Sequence, residues 1–325
     1  MKSSIGSFAG PSRVVPRGKL QFVVGLLAVH SLRLCLWGSM VLAFTSAQAD
    51  LSYRPSAAHL YAIESTDGRV SFWYGTKHKK IGLALLPPFV KVALKSRRYL
   101  AKEIITTNED GSDRVEPLDE GSKPNSEPPQ RRSRAELSPR AKSELLKRGV
   151  PEYVFDSPML CTFYLSWDDQ AGPTMDTAFE LLARRWRKPV IGLDEANDIK
   201  ESLAKLRDDL KDCDIEEMTR YVPASTLSLE SKRSDLQYLQ GDLSKIEPCD
   251  ELCAKRTATW LNKIEALHQA AGVFVVSGVA HLVGSAGGID LLRARGYRVT
   301  QVESLTQMGE LLGRDQASRN LKKTR

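Results

Sequence analysis

Apolar and polar positions along the chain form short runs that switch between a period of two and a period near 3.6. His59–Ser65 (HLYAIES) and Val70–Tyr74 (VSFWY) flank the turn residues Thr66-Asp67-Gly68, which predicts a β-hairpin. Leu86–Arg97 opens with Pro87-Pro88 and carries a helical stripe. Tyr99–Ile105 (YLAKEII) predicts a short strand that includes Glu103. Ser138-Pro139 predicts a capped helix to about Lys147, with Ser138 as N-cap. Pro158–Trp167 is apolar and fits helix or strand, and Met175–Trp186 reads as helix. Lys188–Leu193 (KPVIGL) reads as a buried strand ending at Asp194 and Glu195.

The second half follows the same alternation. Asp198–Lys211 has an amphipathic helical pattern, and Ile215–Gln240 predicts helix in pieces broken near Pro223. Cys249–Ala271 predicts a long helix containing Arg256 and Trp260. Val273–Ser277 (VFVVS) is apolar at four of five positions, which suits a central strand covered on both faces. Gly287-Gly288 precedes a helix over Ile289–Arg295, ended by Gly296, and Tyr297–Val302 predicts a last strand. Strands alternating with helices predict an α/β fold, a sheet covered by helices. Asn108–Arg134 is polar, Pro-rich and without apolar periodicity, so it reads as an insertion of about 108–134.

Charge changes the picture mainly at the two ends. The net charge is +7, but residues 1–49 carry Lys2, Arg13, Arg17, Lys19 and Arg33 and no acid, and without them it falls to +2. The end from Arg314 to Arg325 holds a further net +4, so the body between is slightly acidic at −2. A basic balance made by two ends argues against a nucleic-acid groove, and no nucleic-acid partner is expected. Residues 314–325 read as a basic, solvated and frayed tail. Leu34–Phe44 is an apolar run after Arg33, and Ala47-Gln48-Ala49 is a small-x-small cleavage site before Asp50. Residues 1–49 therefore read as a signal peptide, and the product as periplasmic or secreted. A retained membrane anchor over Val23–Phe44 is the alternative, disfavoured by Arg33. Membrane contact is expected only through this segment or the tail. Cys161, Cys213, Cys249 and Cys253 remain after cleavage, and a bridge among the last three is expected in an oxidising compartment.

Two of the five histidines share one context. Gly75-Thr76-Lys77-His78 and Gly278-Val279-Ala280-His281 each follow a predicted strand in a Gly-x-x-His pattern. Strand carboxyl ends in α/β sheets are where ligands sit, and glycine lets backbone approach closely there. Two imidazoles with carboxylates nearby suit a divalent transition metal. About two hundred residues separate the two, so from spacing alone each could equally hydrogen-bond to backbone. His59 and His268 have no such context and read as surface or packing residues. Asp176 at a helix start reads as a cap, and Trp260 as a core aromatic. No nucleotide-binding loop, nucleophile elbow or H-E-x-x-H motif is present.

The stretch from Val273 to Val302 resembles the C-terminal signature of the TraB/GumN family. Gly278, His281, Leu282, Gly284, Gly288, Leu291, Leu292, Gly296, Tyr297 and Val299 carry the match. Trp73-Tyr74-Gly75-Thr76-Lys77-His78 resembles the family's first motif. Met175-Asp176, Lys188-Pro189-Val190, Leu193-Asp194 and Arg256 with Trp260 follow the family order. The resemblance covers most of Leu60–Val302 and implies a domain over 50–313 with a central mixed sheet covered by helices, Tiki/TraB-like and EreA/ChaN-like.

The related Tiki proteins are described as metal-dependent proteases, so the resemblance implies a metal-dependent hydrolase acting on a peptide or protein. It makes His78, His281 and Glu103 ligands of manganese, cobalt, iron or zinc. Glu103, Asp194 and Glu195 become the catalytic carboxylates, and Arg256 a stabiliser of developing negative charge. The sequence departs from the family pattern in three places. Asp194 stands where the family shows glutamate, which points to Glu195 as its replacement. Lys255 and Thr257 flank Arg256 where the family tends to Glu and Asn. Lys77, Lys79 and Lys80 crowd the first motif with charge unfavourable to a cation. These departures leave a second expectation, a non-catalytic member that binds a peptide or partner in the same cleft.

Overall fold

The computed structural model describes residues 59–105, 137–157, 160–166, 173–210, 213–241 and 243–323. The signal segment, its cleavage site and the 108–134 insertion lie outside the described residues. Six strands form one sheet: β1 (Leu60–Glu64), β2 (Val70–Thr76), β3 (Tyr99–Lys102), β4 (Val190–Gly192), β5 (Val273–Gly278) and β6 (Arg298–Gln301). Their order is β4-β3-β5-β2-β1-β6. The pairs β4/β3, β3/β5 and β5/β2 are parallel, and β1 runs antiparallel to both β2 and β6. The fold is thus α/β with a mixed sheet, and four adjacent parallel strands bring their carboxyl ends to one edge.

Ten helices accompany the sheet among the described residues: α1 (Pro88–Ser96), α2 (Pro139–Lys147), α3 (Leu160–Ser166), α4 (Met175–Arg185), α5 (Ala196–Leu210), α6 (Ile215–Tyr221), α7 (Ala224–Leu239), α8 (Glu251–Ala270), α9 (Gly288–Ala294) and α10 (Leu305–Lys323). Every residue of β2 and β5 is buried, so helices cover both faces there, as the apolar run of β5 predicts. Val70, Phe72, Trp73, Tyr74, Val273, Phe274, Val275 and Val276 centre the main core. A smaller core of Leu145, Phe155, Leu160, Tyr164 and Ile215 joins α2, α3 and α6.

Several expectations are refined. Pro158–Trp167 resolves as helix within its described part, α3. Ile215–Gln240 is broken at Pro223, which caps α7. The strand expected over Tyr99–Ile105 ends at Lys102, so Glu103 stands just past it. The basic end is corrected: it is no frayed tail but part of α10 as far as Lys323. Its buried Asp315 accepts hydrogen bonds from Val70 N at 3.0 Å, Arg97 at 2.9 Å and Arg319 at 3.0 Å. That helix presents polar anchors as well as Met308 and Leu311 to the core, so apolar periodicity alone does not reveal it.

Two disulfides form among the described residues. Cys249 bridges Cys253, within the region expected, while Cys213 pairs with Cys161 across the smaller core. Such bridges suit an oxidising, extracellular compartment. No helix among the described residues is long and apolar enough to cross a membrane.

Candidate metal centre

The carboxyl ends of the four parallel strands each deliver one candidate residue. His78 follows β2, Glu103 follows β3, Asp194 follows β4 and His281 follows β5. The register places Thr76 beside Gly278 and Lys102 beside Val276, so these turns meet above the same edge. Each motif glycine makes room for the other motif. A Cβ at Gly278 would lie 2.6 Å from Nε2 of His78. A Cβ at Gly75 would lie 2.6 Å from Leu282 and 2.9 Å from Val279, in the turn that carries His281. Only glycine allows both approaches.

Glu103 is the hub. One oxygen accepts from Gly278 N at 2.6 Å and lies 3.2 Å from Nε2 of His281. The other lies 3.7 Å from Nε2 of His78 and 3.5 Å from Arg256. Both imidazoles therefore turn the same nitrogen, Nε2, toward one carboxylate.

Their Nδ1 atoms are backed from outside. Nδ1 of His78 lies 3.1 Å from Asp176, whose other oxygen accepts from Thr76 at 2.7 Å. Nδ1 of His281 lies 2.6 Å from the hydroxyl of Thr257. That hydroxyl already donates to Cys253 O at 2.9 Å, so it accepts from His281. Hydrogen-bond logic thus places an Nδ1 proton outward on both rings and leaves an Nε2 lone pair of the neutral His281 facing Glu103.

The charges divide accordingly. Burial, and then the nearby Arg256 charge, push His281 down to about 3, which keeps it neutral. Burial also works against a charged His78. Its hydrogen bond to Asp176 and the charges of Glu103 and Asp176 outweigh that, so His78 is raised. The His78 side chain is 57% exposed, and solvent on that side screens the carboxylates. Burial raises the Glu103 carboxyl despite His78, the Gly278 N–H and Arg256. Asp176 is lowered: burial opposes its charge, but His78 and Thr76 hold it.

Helix α8 supplies the far wall. Arg256 donates to both oxygens of Asp194, at 3.1 and 2.5 Å, and Trp260 Nε1 donates to the same carboxylate at 2.8 Å. Trp260 also packs on the His281 ring, with centroids 4.4 Å apart. Asp194 therefore reaches Arg256 without help. Glu195 turns to Lys263 at 2.5 Å, with 70% of its side chain exposed, and stands outside the cluster. Lys77 and Lys79 are drawn toward Asp235 on α7, at 2.5 and 3.5 Å, so they add little charge at the histidines.

Sequence reasoning missed three partners. Asp176 is no cap, since Thr174 caps α4, and its carboxylate backs His78. Its place in the family order is the signal that it matters. Thr257 reads only as a departure, yet it fixes the His281 ring. Cys253 is the third: its sulfur lies 3.4 Å from Nδ1 and 3.3 Å from Nε2 of His281. Donor atoms of Cys249, Cys253 and His281 all lie within 4.8 Å of one another, so this cluster could hold a metal.

The whole sheet, from the first residue of β1 to the last of β6, coincides with a match to the model of the TraB/PrgY/gumN family over residues 60–301. The chain belongs to the TraB/PrgY/gumN family. No curated protein and no solved structure matches it. In this family member the matched span ends before α10, so the helix that ties Asp315 to Arg97 lies outside the family region.

Proposed function

We propose that this TraB/PrgY/gumN protein is an exported, metal-dependent hydrolase, with peptides as the first substrate class to test. One observation carries the reading: Nε2 of both imidazoles and the Glu103 carboxylate converge, at 3.2 and 3.7 Å. Such a set needs a cation or a proton among its members, and without a metal the raised His78 holds that proton. A divalent transition metal (Mn, Co, Fe or Zn) satisfies all three, and His78, His281 and Glu103 would hold it. When bound, it supplies a Lewis acid that activates water and polarises a carbonyl.

The chain's own groups do the rest. Asp176 and Thr257 fix the ring tautomers. Asp194 has both oxygens engaged by Arg256 and Trp260, so it positions Arg256 rather than taking a proton. Arg256, beside Glu103, would bind developing negative charge on a substrate carbonyl. Glu103, the carboxylate that faces both histidines, is the candidate proton acceptor. Glu195 is given no role. The disulfides and the apolar segment with its small-x-small site support a periplasmic or secreted location.

A second reading has one observation in its favour. Burial is outweighed at His78 by the hydrogen bond to Asp176 and the Glu103 charge, which raise it to about 9, so a protonated His78 facing Glu103 satisfies the cluster without a metal. The protein is then a binding module for a peptide or protein partner.

Elemental analysis of the purified protein separates the two. Wild type is expected to carry close to one equivalent of divalent metal, and His78→Ala with His281→Ala none. No metal after reconstitution overturns the hydrolase reading and leaves the binding module.

A further inference from the structure

The Cys249–Cys253 disulfide is placed unlike the other bridge. It sits at the start of the twenty-residue helix α8, where Asp250 caps the helix by accepting from Cys253 N at 3.0 Å. Its Cys253 sulfur touches the candidate ligand His281. Near-equal distances of 3.4 and 3.3 Å to the two ring nitrogens put that sulfur against the imidazole face, not at either lone pair. The outer side is open. Cys253 lines a surface cavity of about 210 Å³ together with Lys205, Asp209, Asp250, Leu252 and Arg256. The Cys161–Cys213 bridge lies in the smaller core instead, with Cys161 buried there.

We propose that Cys249–Cys253 is a reducible disulfide whose two thiolates, with His281, form a second metal site of Cys₂His type. The proposal shares His281 with the site proposed above but does not depend on it. Reduction is by a dithiol reaching Cys253 through the cavity. The Cys249–Cys253 S–S bond breaks, an S–S bond forms in the dithiol, and two electrons pass to the protein. The dithiol's two protons go to the new thiols and leave to solvent when metal binds. Thiolates with one imidazole select a soft or borderline ion, zinc foremost.

Geometry gives this chemistry a consequence. His281 gives one nitrogen to Thr257 and turns the other to Glu103, while the sulfur covers its face. Binding with the thiolates requires the ring to pivot and lends one of those nitrogens to the new site. The two sites then compete for one imidazole, and reduction withdraws His281 from Glu103 and His78. The metal centre becomes sensitive to redox state.

Cobalt(II) titration of the full-length protein reads this directly, because thiolate–cobalt bonds give a near-ultraviolet charge-transfer band that histidine–carboxylate sites lack. The expected result is a band in protein reduced with a phosphine, absent in oxidised protein. Cys249→Ser with Cys253→Ser is expected to lose it, and Cys161→Ser with Cys213→Ser to keep it. Reduced wild type without the band, or a band that survives Cys249→Ser with Cys253→Ser, overturns the proposal. Cobalt bound to the oxidised protein without the band reports the His78–Glu103–His281 site separately. If only that binding is missing, the hydrolase reading falls and the thiolate site stands.

Discussion

His268 and His281 are both buried, both sit beside a hydroxyl, and both are held neutral, yet they lie at opposite ends of the central strands and serve different ends. His268 has Ser71 at 2.8 Å on Nδ1 and Ser65 at 3.0 Å on Nε2. Both of its nitrogens are closed by neutral hydroxyls, so it ties α8 to the β1–β2 turn and nothing more. His281 has a hydroxyl on one nitrogen only, and its other nitrogen faces a carboxylate shared with a second histidine. The lesson is that burial and a lowered pKa do not mark a functional histidine. What marks it is a lone pair aimed at groups that are themselves acceptors.

The sharpest way to break the comparison is to remove each ring. His281→Ala is expected to abolish metal binding, as measured by elemental analysis. His268→Ala should keep the metal and lose about 1–3 kcal/mol of stability in denaturant unfolding, the cost of leaving buried hydroxyls unpaired. Equal metal loss in both would mean that the two sites do not differ as argued.

The end of the molecule that carries His268 is also braced by Arg97 and Asp315, both almost fully buried. Asp315→Ala strands the Arg97 guanidinium and is expected to cost about 3–5 kcal/mol in unfolding midpoint experiments, with metal content per folded protein unchanged. At the other end, Asp176→Asn keeps the shape but weakens the grip on His78. Metal affinity by competitive chelation should fall about 10–100-fold with stability near wild type.

The smallest effect is one of pH. His268 is pushed down to about 4 by burial and then by Arg69, against an ordinary value of 6.5. Between these values the unfolded chain binds a proton that the folded protein refuses. The resulting stability is complete above pH 6.5 and declines as pH falls toward about 4. Denaturant midpoints followed over this window should show a shallower decline in His268→Asn than in wild type. An unchanged slope would show that His268 does not carry that pH dependence.

Much of the fold is legible in the sequence. The hairpin, the covered strand Val273–Ser277 and the break at Pro223 follow from local pattern, because side-chain period and proline act over a few residues. The two Gly-x-x-His motifs were legible for the same reason: a strand end, a glycine and a histidine are neighbours in sequence. Helix α10 was not, since its docking rests on Asp315 meeting Arg97 more than two hundred residues away.

By itself, the sequence determined the α/β class, the family resemblance and the pair of histidines at strand ends. Tertiary structure alone decided which residues surround them. The order β4-β3-β5-β2 brings Glu103 within reach of both histidines, sends Asp194 to Arg256 and leaves Glu195 at the surface. It also sets Asp176, Thr257 and Cys253 around the two rings. The physical reason is that hydrogen-bond partners of a buried ring are fixed by which strands lie side by side, and strand order is a property of the whole sheet, not of any local stretch.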